Sequence, residues 1–281
     1  MSTAPFLSVR GLGVYYRDGR RRISALQDVD FDLAPGRRLA LVGESGSGKS
    51  TLAMALAGLL PENADVTGSI SFPSLGVAPR PGRDLGVVFQ DPAGSLNPVL
   101  SVGDQIAEVV VVHRGVSWRT ARSLAAELLD QVRIPQAGEC LHRFPHEFSG
   151  GQRQRIAMAA ALAGEPRLLI ADEPTSALDT VVQRQLVLLL EELVRERGLT
   201  LLFVTHDIAL ASGLADEVAV LLGGRIVEHG SIDNVFTKPT HAYTNALLAT
   251  RLDLDTPISA RLLEIDARTF AVRRPGETFH G

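Results

Sequence analysis

The stretch Gly43-Glu44-Ser45-Gly46-Ser47-Gly48-Lys49-Ser50-Thr51 constrains the possible folds of this chain more than any other. Gly43 and Gly48 flank four residues, and a Lys and a hydroxyl residue follow at once, the pattern of a phosphate-cradling loop. Glycines let successive backbone N–H groups turn into one concavity, which suits a ligand with several negative charges. A helix starting near Lys49 adds the positive end of its dipole, and Lys49 adds a mobile cation. The Ser50 hydroxyl suits Mg²⁺, a hard cation that takes oxygen ligands. Such a loop belongs between a buried strand and a helix. Residues 38–42 supply an apolar run before it, and residues 52–60 continue as an apolar helical segment. A nucleoside triphosphate is the ligand this arrangement predicts.

With 281 residues the chain has ample length for one large domain or two lobes. Hydrophobic residues make up 45% and charged ones 21%, a globular balance that excludes a largely disordered chain. The net charge of −4 gives no general attraction to nucleic acid, which is not expected as a partner. Cys140 is the single cysteine, so no intrachain disulfide and no multi-cysteine metal site can form. It reads as a small, half-buried residue in a reducing compartment. Residues 1–10 lack the apolar core of a signal peptide. No apolar run reaches the ~18 residues of a membrane helix, so membrane association is expected only through a partner.

Residues 6–42 alternate apolar and polar around turns at Arg17-Asp18-Gly19 and Ala34-Pro35-Gly36, which predicts an antiparallel sheet leading into the loop. Residues 85–89 read as a second buried strand. Helical signals dominate from 91 to 164, over 102–112, 118–132 and 152–163. Strand and helix then alternate: 167–171, a long helix over Thr180–Arg197, 199–205, and a helix over Ile208–Leu214. A closing hairpin turns at Gly223-Gly224 between 218–222 and 225–228. The fold predicted is α/β, a parallel βα core with an N-terminal antiparallel β subdomain and an inserted all-helical subdomain. The divisions are a domain over 1–235 (core 1–90 and 165–235, helical insertion 91–164) and a proline-punctuated extension over 236–281.

Two further motifs carry chemistry. Leu168-Leu169-Ile170-Ala171-Asp172 ends an apolar strand in a carboxylate, the place for a residue that holds a phosphate-bound metal. Glu173 follows directly and suits a general base on water attacking the γ-phosphate. Phe148-Ser149-Gly150-Gly151-Gln152 is a Ser-Gly-Gly turn before a helix, a second anion-binding device without a lysine. Read alone, Ser149 is also an ordinary helix N-cap.

In this order the motifs resemble those of ATP-binding cassette (ABC) ATPases, whose core is a P-loop NTPase fold of RecA-like type. The resemblance implies that ATP and Mg²⁺ bind at Gly43 to Thr51 and Asp172. It implies that Ser149, Gly150, Gly151 and Gln152 complete the site of an opposite cassette in a head-to-tail dimer. Gln90 matches the Q-loop glutamine, which reaches Mg²⁺ or the attacking water. Ser176-Ala177-Leu178-Asp179 matches the D-loop at the dimer interface, and His206 the switch histidine that contacts the γ-phosphate. Tyr16 matches the aromatic residue that stacks on adenine. Tyr15 competes for that role, and adjacent strand residues face opposite sides, so one of the two stacks.

The segment 89–98 with Val102-Gly103-Asp104-Gln105-Ile106 resembles the oligopeptide/dipeptide/nickel branch of importer ATPases, and so does Pro239-Thr240-His241-Ala242-Tyr243-Thr244. Ala242 stands where that branch usually has proline, and no cysteine cluster follows. The branch implies a peptide, nickel or metal-chelate solute and import powered at the cytoplasmic face of the membrane. The partners implied are a second cassette, identical or a sibling, two transmembrane permease subunits and, indirectly, an extracytoplasmic solute-binding protein. The alternative is a non-transport ABC ATPase of DNA repair or translation. Against it stand the lack of a sustained heptad repeat and the single cassette.

Overall fold

The computed structural model describes residues 4–19, 21–176 and 178–252; Arg20, Ala177 of the expected D-loop and the rest of the extension lie outside it. The chain begins with two long antiparallel strands, β1 (Leu7–Asp18) and β2 (Arg21–Leu33), paired from Leu7 opposite Leu33 to Asp18 opposite Arg21. The expected antiparallel sheet does not extend to residue 42. At Gly36, whose φ is 70°, the chain leaves that sheet, and the Gly36 N–H donates to Thr200 Oγ1 at 3.0 Å. β3 (Arg38–Val42) joins a second, parallel sheet instead, because its five apolar-rich residues are buried on both faces.

α1 (Lys49–Ala57) follows the glycine loop and stops at Gly58, which takes a left-handed cap at φ 70°. β4 (Ala64–Ser71) then pairs with the free edge of β1, and β5 (Leu85–Val88) returns to the parallel sheet. The sequence pattern does not reveal β4. Most of its residues are exposed, it carries Gly68 at φ 80°, and it alternates too weakly to read as a strand.

The helical insertion comprises α2 (Pro92–Ser95), α3 (Val102–Arg114), α4 (Trp118–Gln131), α5 (Ala137–Cys140) and α6 (Gly150–Leu162). Ser101 and Ser117 cap α3 and α4 by accepting from Asp104 N–H and Thr120 N–H. Cys140 is buried here and its thiol donates to the Pro135 carbonyl at 3.3 Å.

β6 (Leu168–Asp172), α7 (Thr180–Arg197), β7 (Thr200–Val204), α8 (Ile208–Leu214), β8 (Glu217–Leu222) and β9 (Arg225–Ser231) complete the core. The two sheets run β2-β1-β4 and β5-β6-β7-β3-β8-β9, the last strand antiparallel. Alternate side chains of β6 enter different cores. Leu169 and Ala171 pack with the helical insertion and α7, whereas Leu168 and Ile170 pack with α1 and the antiparallel sheet. The chain then forms α9 (Ile232–Thr237), which straddles the expected boundary at 235, and α10 (Ala242–Leu252) within the proline-punctuated extension. No helix among the described residues is long and apolar enough to cross a membrane.

Candidate functional site

The C-terminal ends of β3, β5, β6 and β7 open on one side of the parallel sheet, where ligands of such sheets bind. A cleft of about 250 Å³ lies there, lined by Ala25, the glycine loop, Gln90 and Glu173. A larger cavity of about 680 Å³, around Arg114, Arg167 and Arg197, sits at the opposite ends of the strands and touches none of the motifs.

The glycines of the loop are required by its shape. Gly46 and Gly48 hold φ values of 77° and 106°, and a Cβ on Gly48 would meet the Ala25 carbonyl at 2.6 Å. Lys49 is 4% exposed and its Nζ donates to the Gly43 and Glu44 carbonyls at 2.9 and 2.8 Å. Burial pushes its pKa below the ordinary lysine value, against the opposing pull of Glu173, Asp172 and Glu44. Ser47 is buried, and its Oγ has no hydrogen-bond partner. A buried orphan hydroxyl beside a phosphate cradle fits an anionic ligand.

The Ser50 Oγ donates to Asp172 Oδ1 at 3.1 Å, so two oxygen-bearing side chains from distant segments converge. Burial raises the Asp172 pKa; the Ser50 hydrogen bond and Lys49 oppose the rise, and Glu173 adds to it. Glu173 turns sharply out of β6 at φ 44°, its N–H bonded to the Val204 carbonyl at 3.0 Å. Its carboxylate lies 3.8 Å from Lys49 Nζ and 3.3 Å from His206 Nδ1, and the imidazole is exposed. The Tyr16 hydroxyl is 3.3 Å from Thr51 Oγ1, at the edge of the loop. The Tyr15 ring instead stacks under the Arg22 guanidinium at 4.0 Å.

Thus the loop from Gly43 to Thr51, Tyr16, Gln90, Asp172, Glu173 and His206 come together. Ser149, Gly150, Gly151, Gln152 and Asp179 do not line the cleft. Ser149 Oγ accepts from Gln152 N–H at 3.3 Å while Gln152 Oε1 accepts from Ser149 N–H at 2.9 Å, a reciprocal cap on α6. Asp179 caps α7 by accepting from Val181 and Val182 N–H at 3.1 and 3.0 Å.

Two residues here escape the sequence reading. The buried Gln154 donates from Nε2 to the Phe89 carbonyl at 3.1 Å, tying α6 to the backbone just before Gln90. Tyr243 accepts the Glu44 N–H at 3.0 Å. The motif around residues 239–244 was the available signal for it, but nothing in that motif pointed to the loop.

Comparison with known proteins agrees with this geometry. A family profile described as ABC transporter matches residues 26–176. A putative peptide import ATP-binding protein of Brucella abortus (strain 2308) is 44% identical over 264 residues, covering 91% of this chain and 80% of the relative. The oligopeptide transport ATP-binding protein OppD of Haemophilus influenzae is 42% identical over 252 residues, covering 87% of this chain and 78% of the relative. Among solved structures, a dimeric ATP-binding cassette in a post-hydrolysis state with ADP and Pi superposes with a TM-score of 0.70 at 28% identity, covering 80% of this chain and 98% of that one. The cbiO1 protein of Clostridium perfringens, part of an ABC transporter complex, gives 0.68 at 27% identity, covering 90% and 96%. The chain belongs to the ABC transporter family, as an ATP-binding cassette that hydrolyses ATP.

Proposed function

We propose that this cassette powers import of peptides across the cytoplasmic membrane, working at the membrane's inner face with a second cassette and two permease subunits. The relatives named for peptide import and oligopeptide transport favour a peptide solute over nickel or a metal chelate. An extracytoplasmic solute-binding protein would deliver the solute, and no nucleic acid takes part. In this reading 1–90 and 165–235 form the nucleotide-binding core, 91–164 the helical insertion, and 236–281 an extension.

The observation that carries the ATPase reading is the convergence of Lys49, Ser50, Gln90, Asp172, Glu173 and His206 on one cleft. The Gly43–Thr51 amides and Lys49 hold the phosphates, and Tyr16 stacks on adenine. Ser50, Asp172 and Gln90 offer only oxygen donors, which fits Mg²⁺. Mg²⁺ held by these residues would supply positive charge against the negative charge of the phosphates. Glu173 accepts the proton of the attacking water, and His206 contacts the γ-phosphate. Ser149, Gly150, Gly151 and Gln152, with Asp179, would complete the site of the opposite cassette. The N-terminus of α6 presents the positive end of its dipole, which suits a γ-phosphate from across the interface.

The test is ATPase activity of the assembled complex titrated with peptides and, separately, with Ni²⁺ and its chelates. Stimulation by peptides alone supports the proposal. Stimulation by nickel or its chelates alone would overturn the peptide assignment.

A further inference from the structure

The motif Pro239-Thr240-His241-Ala242-Tyr243-Thr244 has no part in the chemistry above, yet one of its side chains reaches the nucleotide loop. Tyr243 is fully buried, and its phenol oxygen accepts the backbone N–H of Glu44 at 3.0 Å. From the other side, Lys49 Nζ holds the carbonyls of Gly43 and Glu44. The first peptides of the loop are therefore gripped at both ends of their dipoles, by groups nearly two hundred residues apart in sequence. The ring belongs to a buried cluster with Ala40 and Val42 of β3, which leads into the loop, and with Ala211 of α8.

The segment that presents Tyr243 is itself built to hold one position. The Glu228 carboxylate on β9 accepts from Thr240 N–H at 2.7 Å, Thr240 Oγ1 at 2.9 Å and His241 N–H at 3.2 Å. His241 Nδ1 accepts the Tyr243 N–H at 3.1 Å, and Asn245 Nδ2 donates to the Pro239 and His241 carbonyls at 3.3 and 3.2 Å. Three hydrogen bonds to one carboxylate and a side-chain-capped helix start leave the turn little freedom. A chain of polar contacts thus runs from β9 through the turn and α10 to the glycine loop.

We propose that Tyr243 is a positioning residue for ATP, and that α10 is thereby part of the nucleotide-binding machinery. The inference rests on the assignment of Gly43 to Thr51 as the ATP loop. A glycine-rich loop has many accessible backbone conformations, and only the one with its amides convergent binds phosphate. Anchoring Glu44 N–H raises the populated fraction of that conformation, and the apparent affinity scales with the fraction. Tyr243 acts before chemistry, so it sets ATP affinity and leaves the hydrolytic step alone.

The experiment compares ATP binding and steady-state hydrolysis of the full chain and of Tyr243→Phe, which keeps the ring in its cluster and removes the acceptor. The expected result is ATP Kd and KM raised about 5–10-fold with kcat at saturating ATP within about twofold. A purely structural residue would lower thermal stability and active fraction without moving Kd. A folded Tyr243→Phe with Kd within about twofold of the parent overturns the proposal. Should that variant not fold, Glu228→Gln carries the test, because it loosens the turn without opening the cluster. A Kd raised at least about twofold by Glu228→Gln supports the coupling, and an unchanged Kd sinks it. Lys49→Ala runs in parallel. If it too binds ATP like the parent, the loop assignment has failed rather than the role of Tyr243.

Discussion

Glu173 occupies a left-handed backbone conformation at φ 44°, which costs a non-glycine residue about 1–3 kcal/mol and persists where surrounding structure enforces it. The enforcement is the bond from its N–H to the Val204 carbonyl, and the result is a carboxylate aimed past Lys49 toward His206. Glu173→Gln keeps the shape but cannot accept a proton, so hydrolysis should fall by roughly 10²–10⁴ while ATP binding survives and a closed ATP-bound dimer accumulates. Single-turnover hydrolysis beside equilibrium binding checks this; near-parental hydrolysis would falsify the general-base role. Asp172 makes a different prediction. Its folded-state pKa is raised by burial, so folding favours its protonated form. Its contribution to stability is best below the unfolded carboxylate pKa and is lost as pH rises through the folded one. Asp172→Asn should therefore raise the melting temperature of the nucleotide-free protein at pH 7 by about 2–4 °C while weakening Mg²⁺-dependent ATP binding. Thermal melts without nucleotide decide it, and a lower melting temperature for Asp172→Asn would contradict the burial argument.

At the scale of elements, α6 combines a reciprocal cap with close packing. A Cβ on Gly151 would lie 2.7 Å from Val182 Cγ1, so α6 and α7 approach closely at this turn. Ser149→Arg should leave ATP binding to the isolated chain within about twofold, cost about 0.5–2 kcal/mol from the lost cap, and reduce hydrolysis by the dimer at least about 100-fold. Calorimetric ATP binding to the monomer is the check, and loss of that binding would remove the head-to-tail arrangement. The segment after Gln90 reads from its two prolines as a loop that extends no helix. The structure gives it one turn, α2, with Pro92 at the first position, where a missing N–H costs nothing. Leu96 there is 4% exposed and belongs to the core of the helical insertion, whereas Val99 is 75% and Leu100 39% exposed. Charges at Val99 and Leu100 should thus spare ATP binding and abolish copurification with the membrane subunits and solute uptake. Normal uptake would exclude this surface as the coupling contact. Periodicity alone does not separate Leu96 from Leu100, because in so short a segment neither helical nor strand alternation is established.

At the scale of the whole molecule, the extension is continuous with the core. Its Tyr243 on α10 shares a buried cluster with Ala40, Val42, Val218 and Val220 of the core. Burying such side chains contributes about 1.5–3 kcal/mol each. Truncation after Val235 should therefore lower the melting temperature by about 5–10 °C and weaken ATP binding. Scanning calorimetry of the truncated and full chains tests this, and equal melting temperatures would make the extension an independent appendage.

The sequence by itself determined the glycine loop, the acidic strand end, the parallel core with its helical insertion, and the order of motifs that places the chain in its family. Those features are local: positive φ at glycine, period-two alternation, continuous apolar strands and caps each leave a mark within a few residues. Tertiary structure alone decided that β3 leaves the antiparallel sheet at Gly36 and that β4 occupies its edge. It also decided that Tyr243 meets Glu44. These are contacts between segments far apart in the chain, made by single side chains or weakly patterned strands. Their partners are chosen by which surfaces the packed core brings together, so no local pattern announces them.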